Sequence, residues 1–178
     1  MDGRPLTYNE ILLGQQIFST SIHWPSVRVH AHGYVWVQPQ NSGMTPNGEI
    51  YSKGTAASSN YALADPPLQA YFVHELAHVW QAQNGVLNPI WSAVGNSLRH
   101  GFAYSRAYSY LLETGKDLLD YRMEQQAQII EDFFRVKVLG LLPRADYLQN
   151  KEHGAALSEL YESVLGNFLK DPEYAKYK

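Results

Sequence analysis

The sequence predicts an α+β protein that is mostly helical, with a small, mainly antiparallel sheet packed beside one long helix. Four stretches carry apolar residues at helical spacing and are bounded by residues that begin or end helices. Short runs of β-branched and aromatic residues lie between the first and second of these stretches. The chain has 178 residues, of which 45% are hydrophobic. This size and apolar content fit one folded domain over residues 1–178.

Composition excludes several classes of function. The net charge is −3 and no long run of like charge occurs, so nothing points to nucleic acid or an anionic membrane as a partner. No apolar stretch approaches the roughly 20 residues that span a bilayer. Residues 1–5 lack the apolar core of a signal peptide, so we expect synthesis in the cytoplasm without one. Cysteine is absent, so any bound metal must be held by histidine and carboxylate.

Residues 5–53 are predicted to contain the first helix and the sheet. A capping-box pattern, Thr-Tyr-Asn-Glu, begins a helix predicted at residues 7–19. Runs at 27–32 and 34–37 predict two strands that meet at a glycine. After a loop with turn-forming residues, a further strand is predicted at 49–53.

Two features of this region allow alternative interpretations. His30 and His32 point to the same side of a strand, either as two exposed histidines, which we favour, or as part of a second metal site. The strand at 49–53 is either an ordinary structural strand or an edge strand along which an extended peptide binds. The residues alone settle neither question.

The helix predicted at residues 66–84 carries the chemistry. An aspartate and two prolines begin it, and an Asn-Gly pair ends it. His74, Glu75 and His78 read His-Glu-x-x-His, and the two histidines stand on one face and can share a metal ion. Neither lies on the apolar stripe, which consists of Leu68, Phe72, Leu76 and Val79. The pattern is typical of zincin-like hydrolases, in which the glutamate takes a proton from a metal-activated water.

A third ligand must come from elsewhere, because a catalytic zinc takes three protein ligands and leaves one position for water. A helix predicted at residues 121–139 offers Glu124 and Glu131, seven apart and on nearly the same face. Spacing does not choose between them, and both could instead be solvated surface charges.

The remaining segments carry weaker signals. Residues 88–101 are predicted as a loop with one helical turn, and residues 108–119 as a hairpin or a broken helix. A last helix is predicted at residues 152–170. Peptide hydrolysis also needs a donor for the tetrahedral oxyanion. The candidates between the ligand segments are His100, Tyr104, Tyr108 and Tyr110, which the sequence does not rank.

Three segments look like the signature blocks of a known bacterial family. They are residues 44–51, 74–81 and 121–130, with the sequences MTPNGEIY, HELAHVWQ and YRMEQQAQII. From residue 4 to about residue 140, the chain resembles the zinc metallopeptidases associated with type VI secretion spike proteins of the VgrG type. The resemblance implies a toxic effector with one Zn²⁺ ion, secreted by a type VI system into the periplasm of a target cell. It also implies a secretion spike protein and an immunity protein as partners.

The resemblance implies Glu124 as the third metal ligand. Many glutamate zincins place an aspartate four residues after this ligand to orient a histidine, but here that position is Gln128. The orienting group must then come from Glu131, Asp132 or a backbone carbonyl.

The resulting hypothesis is a zinc-dependent metallopeptidase that acts on a peptide or protein substrate. Zinc on His74, His78 and Glu124 would activate a water molecule, and Glu75 would take its proton and return it to the leaving amine. Three alternatives stay open. The substrate is the peptide part of peptidoglycan, the domain is a non-catalytic, metal-stabilised module of a secretion spike, or the protein is a cytoplasmic processing peptidase unrelated to secretion.

Overall fold

The computed structural model describes most of the chain as a mixed α+β protein. The residues it describes are 3–36, 38–86 and 107–177. The chain divides into two compact units, unit 1 (Met1–Asn84) and unit 2 (Gly85–Lys178). This division does not test the single domain predicted over residues 1–178, which stays a prediction. The loop predicted at 88–101 lies outside the described residues. Among the described residues, no helix is both long and apolar enough to cross a membrane.

Unit 1 contains a four-stranded sheet with the strand order β1-β2-β4-β3. The strands are β1 (Arg4–Pro5), β2 (Arg28–His30), β3 (Gly43–Met44) and β4 (Ile50–Ser52). The pairs β1–β2 and β3–β4 are antiparallel, whereas β2 and β4 run parallel. The small, mainly antiparallel sheet therefore matches the prediction.

The prediction of a strand at residues 34–37 is wrong for residues 34–36, which form bends and a turn. The N–H of Tyr34 donates to the side-chain Oε1 of Gln38 at 2.8 Å. The N–H of Gln38 donates to the carbonyl of Val35 at 3.0 Å and closes the turn. These local bonds engage the N–H of Tyr34 and the carbonyl of Val35, two groups that a neighbouring strand would otherwise have to pair.

The strand predicted at residues 49–53 forms as β4, but it lies inside the sheet between β2 and β3. Its interpretation as an edge strand is therefore wrong. Gly43 and Met44, expected in a loop, pair with β4 in antiparallel register. Gly48, with a φ of 73°, provides the left-handed backbone that helps the chain to reverse between the two strands. The edge of the sheet on this side is β3.

Helix α1 (Tyr8–Phe18) begins with the predicted capping box, formed by Thr7 and Glu10. The buried Glu10 carboxylate accepts two hydrogen bonds from the Arg4 guanidinium, at 2.7 and 2.8 Å. It also accepts from the N–H groups of Thr7 and Tyr61. Burial acts to raise the pKa of Glu10, but these hydrogen bonds outweigh burial and lower the pKa below its ordinary value. The carboxylate thus fixes the start of α1 to two other segments of unit 1.

Helix α2 (Pro66–Gln83) has nearly the predicted bounds and packs against α1 and β4. Prolines occupy its first turn, and the N–H of Asn84 donates to the carbonyl of Trp80 at its end. Residues 72–81 are all buried. The middle of α2 therefore has no solvated face, and its polar side chains are buried together with its apolar stripe.

The described part of unit 2 consists of helices joined by turns and irregular segments. Its helices are α3 (Met123–Lys137), α4 (Gly154–Val164) and α5 (Gly166–Lys170). The single helix predicted at residues 152–170 breaks at Leu165, whose ψ of 1° leaves the α-helical range ahead of a glycine. Residues 108–119, predicted as a hairpin or a broken helix, form no hairpin, and their C-terminal part enters a 3-10 turn at Leu118–Asp120. Tyr110 instead forms an isolated parallel bridge with Leu148.

A buried hydrogen-bonded cluster surrounds Asp132 of α3. The Tyr110 hydroxyl donates to Oδ2 of Asp132 at 2.7 Å, and the Arg144 N–H donates to Oδ1 at 2.7 Å. The hydroxyl of Tyr161 lies 2.6 Å from that of Tyr110 and extends the chain of hydrogen bonds. Burial is the largest cause that raises the pKa of Asp132, from 3.8 to about 6.

We predict that Asp132 makes the stability of the protein depend on pH between about 4 and 6. Its pKa is higher in the folded state, so its stabilising contribution is complete below the unfolded pKa and is lost as the pH rises through the folded pKa. From pH 4 to pH 7 the free energy of unfolding of the wild type should fall by up to about 3 kcal/mol relative to that of Asp132→Asn. Urea unfolding of both metal-free proteins at several pH values measures this difference. Parallel pH profiles would contradict it.

Candidate metal centre

The two histidines of the His-Glu-x-x-His pattern lie on the middle turns of α2. Their four-residue spacing brings the ring centroids of His74 and His78 to 4.9 Å, with the ring planes at 78°. The two residues are 6% and 7% exposed. The pair is therefore buried, and the rings are close enough to direct one nitrogen each toward a common point.

Gln81 orients the second histidine. The Nδ1–H of His78 donates to Oε1 of Gln81 at 2.8 Å, one helical turn further along α2. This bond selects the tautomer in which Nε2 carries a lone pair, which is the form that binds a metal. Sequence reasoning missed this role, although the signal was present. Gln81 follows His78 by three residues and therefore shares its helix face.

The third member of the group is Glu124, from the first turn of α3. One ligand atom from each of His74, His78 and Glu124 lies within 4.8 Å of the other two. Glu124 is also buried, with 7% exposure, so the interpretation of this residue as a solvated surface charge is wrong. The carboxylate in this group is Glu124, whereas spacing alone left the choice between it and Glu131 open.

These residues fit a divalent cation. Two imidazole nitrogens and one carboxylate oxygen are a donor set that zinc accepts, and three protein ligands leave a position for water. Burying a carboxylate beside two imidazoles without a cation is costly unless a proton takes its place. The ligand roles of His74, His78 and Glu124 remain predictions, with this arrangement as their support.

Glu75 lies on α2 between the two histidines and is also buried. Its Oε2 accepts a hydrogen bond of 2.6 Å from the Thr45 hydroxyl, which follows β3 directly. A Cβ built on Gly43 would overlap the carboxylate of Glu75. Sequence reasoning missed both contacts because Thr45 and Glu75 are 30 residues apart, and no pattern pairs them.

The alternative of a second metal site at His30 and His32 gains no support. Among the residues that the structure describes, neither belongs to a group of three ligands. The favoured interpretation needs correction too, because His30 is buried. Its Nε2–H donates to Glu49 at 2.8 Å and its ring stacks on Tyr51. The hydrogen bond from His30 is the largest cause that lowers the pKa of Glu49. His32 is exposed, as expected.

Several other candidate residues are accounted for. His100 and Tyr104 lie outside the described residues. The Tyr110 hydroxyl already donates to Asp132, so it is a poor candidate for an oxyanion donor. Asp132 in turn accepts from Tyr110 and from the backbone of Arg144, which weakens its candidacy as the group that orients a histidine.

A mixed α+β protein with a buried His-His-Glu group has relatives among type VI secretion proteins. No family model matches the chain. The chain is 34% identical over 168 residues to the type VI secretion system spike protein VgrG2b of Pseudomonas aeruginosa, a match that covers 93% of this chain and 15% of that protein. The solved effector domain of Pseudomonas aeruginosa VgrG2b has 31% sequence identity and a TM-score of 0.66, over 93% of this chain and 82% of that one. The chain belongs to the family of this effector domain.

We predict that the protein binds one divalent ion and that alanine at His74, His78 or Glu124 abolishes tight binding. Each substitution removes one of three ligands, whereas Glu131→Ala removes none of the three and should still bind the ion. Zinc titration against a chromophoric chelator measures the affinity, and unfolding curves of the metal-free proteins control for folding. Loss of binding in Glu131→Ala together with full binding in Glu124→Ala would overturn the ligand assignment.

Gln81→Leu should weaken zinc binding roughly 10- to 100-fold, as expected when a group that orients a ligand is lost. Gln81→Glu, which retains an acceptor for the His78 N–H, should bind zinc at least as well as the wild type. Gln16→Leu on the exposed face of α1 is the matched control. Equal affinities in Gln81→Leu and Gln16→Leu would show that Gln81 does not orient the ligand.

Proposed function

We propose that this chain is a zinc-dependent metallopeptidase domain with a zincin-like fold, delivered as an effector by type VI secretion. The observation that carries the proposal is the buried group of His74, His78 and Glu124. Glu75 lies on the same helix as the two histidines. The proposed domain covers residues 1–178.

The donor set suits zinc, and bound zinc would act as a Lewis acid toward a carbonyl and lower the pKa of water. His74, His78 and Glu124 would hold the ion, and Gln81 would keep His78 in the tautomer that binds metal. These four residues therefore bind and orient, while the proton transfers fall to Glu75.

Glu75 is the proposed general base. It takes a proton from the attacking water while the water oxygen forms a bond to the scissile carbonyl carbon. It then returns this proton to the amine nitrogen as the C–N bond breaks, so the carboxylate is regenerated. The burial of Glu75 supports this role, since water exclusion strengthens electrostatic interactions in the site.

An extended substrate would bind along β3, the strand at the edge of the sheet next to Glu75. Main-chain hydrogen bonds to an edge strand fix a peptide in register without reading its side chains. This proposal moves the expected groove from residues 49–53 to Gly43–Met44. The role of an edge strand is kept, but a different strand fills it.

The delivery route is proposed from the family. The relative VgrG2b is a type VI secretion system spike protein, and its solved domain is called an effector domain. We therefore propose a spike protein as the carrier and the periplasm of a target cell as the destination. An immunity protein in the producing cell would follow from such a toxin.

The decisive test is Glu75→Gln. This variant should keep wild-type zinc content, because no ligand is changed, and should lose at least about 100-fold in peptide hydrolysis, because a proton acceptor is gone. Casein digestion and zinc analysis measure the two quantities. Glu159→Gln on the exposed face of α4 is the matched control. Full activity in Glu75→Gln would overturn the assignment of the base.

Assays with a second substrate and with zinc removed distinguish the rival functions. Release of peptides from purified peptidoglycan sacculi, with casein left intact, would place the substrate in the cell wall. If zinc removal lowers the melting temperature but neither substrate is cut, the domain is a non-catalytic module and the peptidase proposal fails.

A further inference from the structure

The segment that contains β3 contacts Glu75 at two positions. The Thr45 hydroxyl donates to Oε2 of Glu75 at 2.6 Å. A Cβ built on Gly43, two residues earlier, would collide with the other oxygen, Oε1. Residues at positions i and i+2 of an extended segment face the same side. Gly43 and Thr45 therefore form one seat for the Glu75 carboxylate.

Gly43 is held in place by neighbouring groups that are themselves hydrogen-bonded. The Tyr71 hydroxyl lies beside Gly43, and a Cβ at that position would collide with it as well. The same hydroxyl is 2.9 Å from the Ser52 hydroxyl of β4. Gly43 and Ser52 are directly paired across β3 and β4. The sheet thus fixes Gly43 against both Tyr71 and Glu75, one helical turn apart on α2.

We propose that Thr45 is the positioning residue for Glu75, with Gly43 providing the space that the carboxylate needs. The Thr45 hydroxyl engages Oε2 and leaves Oε1 as the oxygen that accepts the proton. A buried carboxylate with a free torsion would sample several rotamers, and only some of them would direct an oxygen toward a reacting water. The catalytic consequence rests on the proposed function, whereas the contact between Thr45 and Glu75 does not.

The contact can be tested without substrate by unfolding. In the metal-free protein, Thr45→Val leaves Oε2 of Glu75 without its donor and should lower the melting temperature. In a Glu75→Ala background the same substitution should have a clearly smaller effect, because there is no carboxylate left to lose a partner. Equal melting shifts in the two backgrounds would overturn the proposal whether or not the protein is an enzyme.

The positioning role is tested by kinetics with the zinc-loaded protein. Thr45→Val should lower kcat about 10- to 100-fold with little change in KM or zinc content. Thr45→Ser restores the hydroxyl and should regain most of kcat. The matched control is Thr114→Val, at an exposed turn of unit 2.

The outcomes distinguish the two proposals. A wild type without peptidase activity would contradict the proposed function, and the unfolding comparison would still test the contact between Thr45 and Glu75. An active wild type in which Thr45→Val and Thr45→Ser have the same kcat sinks the positioning role alone. A loss of zinc in Thr45→Val would assign the effect to the metal centre and also overturn the positioning role.

Discussion

The site depends on one constraint, which is that α2 buries its polar side chains together with its apolar ones. Residues 72–81 are all buried, among them the two histidines, Glu75 and Gln81. A buried polar group without a partner costs about 1–3 kcal/mol, so each of these groups has to be matched locally. Gln81 matches His78 from within the helix, and Thr45 matches Glu75 from the strand segment. The hydrogen bonds that offset the cost of burying His78 and Glu75 are therefore the same ones that fix the orientation of these two side chains.

This constraint gives the small sheet a purpose beyond packing. β3 has only two residues, yet Gly43 and the following Thr45 are the groups that face the carboxylate. β4 lies between β3 and β2 and contributes Ser52, whose hydroxyl is within hydrogen-bond distance of Tyr71 on α2. Glu10 of α1 stabilises the same unit by accepting hydrogen bonds from Arg4 of β1 and from the N–H of Tyr61. A short edge strand is sufficient because it needs to position two residues, not to build a core.

What the sequence predicted well was local. The bounds of α2, its proline start and the i, i+4 histidine pair follow from spacing within one helix. What it predicted poorly depends on hydrogen-bond partners that residue spacing does not identify, whether they are near or far in the chain. Residues 34–36 have strand-forming side chains, but Gln38 closes a turn there instead. The sequence favours an exposed His30 over a second metal site, because no carboxylate lies nearby in sequence, but Glu49 reaches His30 through the pairing of β2 with β4. Periodicity reports which face a residue occupies, but not which residue it meets.

Three buried carboxylates, those of Glu10, Asp132 and Glu75, differ in how fully their oxygens are hydrogen-bonded, and this difference bears on the proposed role of Glu75. Glu10 accepts from Arg4 and from two backbone N–H groups, so both of its oxygens are occupied and its charge is fixed. Asp132 likewise has a donor on each oxygen, from Tyr110 and Arg144. In the parts of the chain that the structure describes, Glu75 differs, because its one hydrogen bond comes from Thr45 and occupies Oε2. A carboxylate can accept about four hydrogen bonds, so Glu75 keeps the most unused capacity of the three. A general base needs that capacity, since an oxygen that is already saturated has no lone pair for an incoming proton.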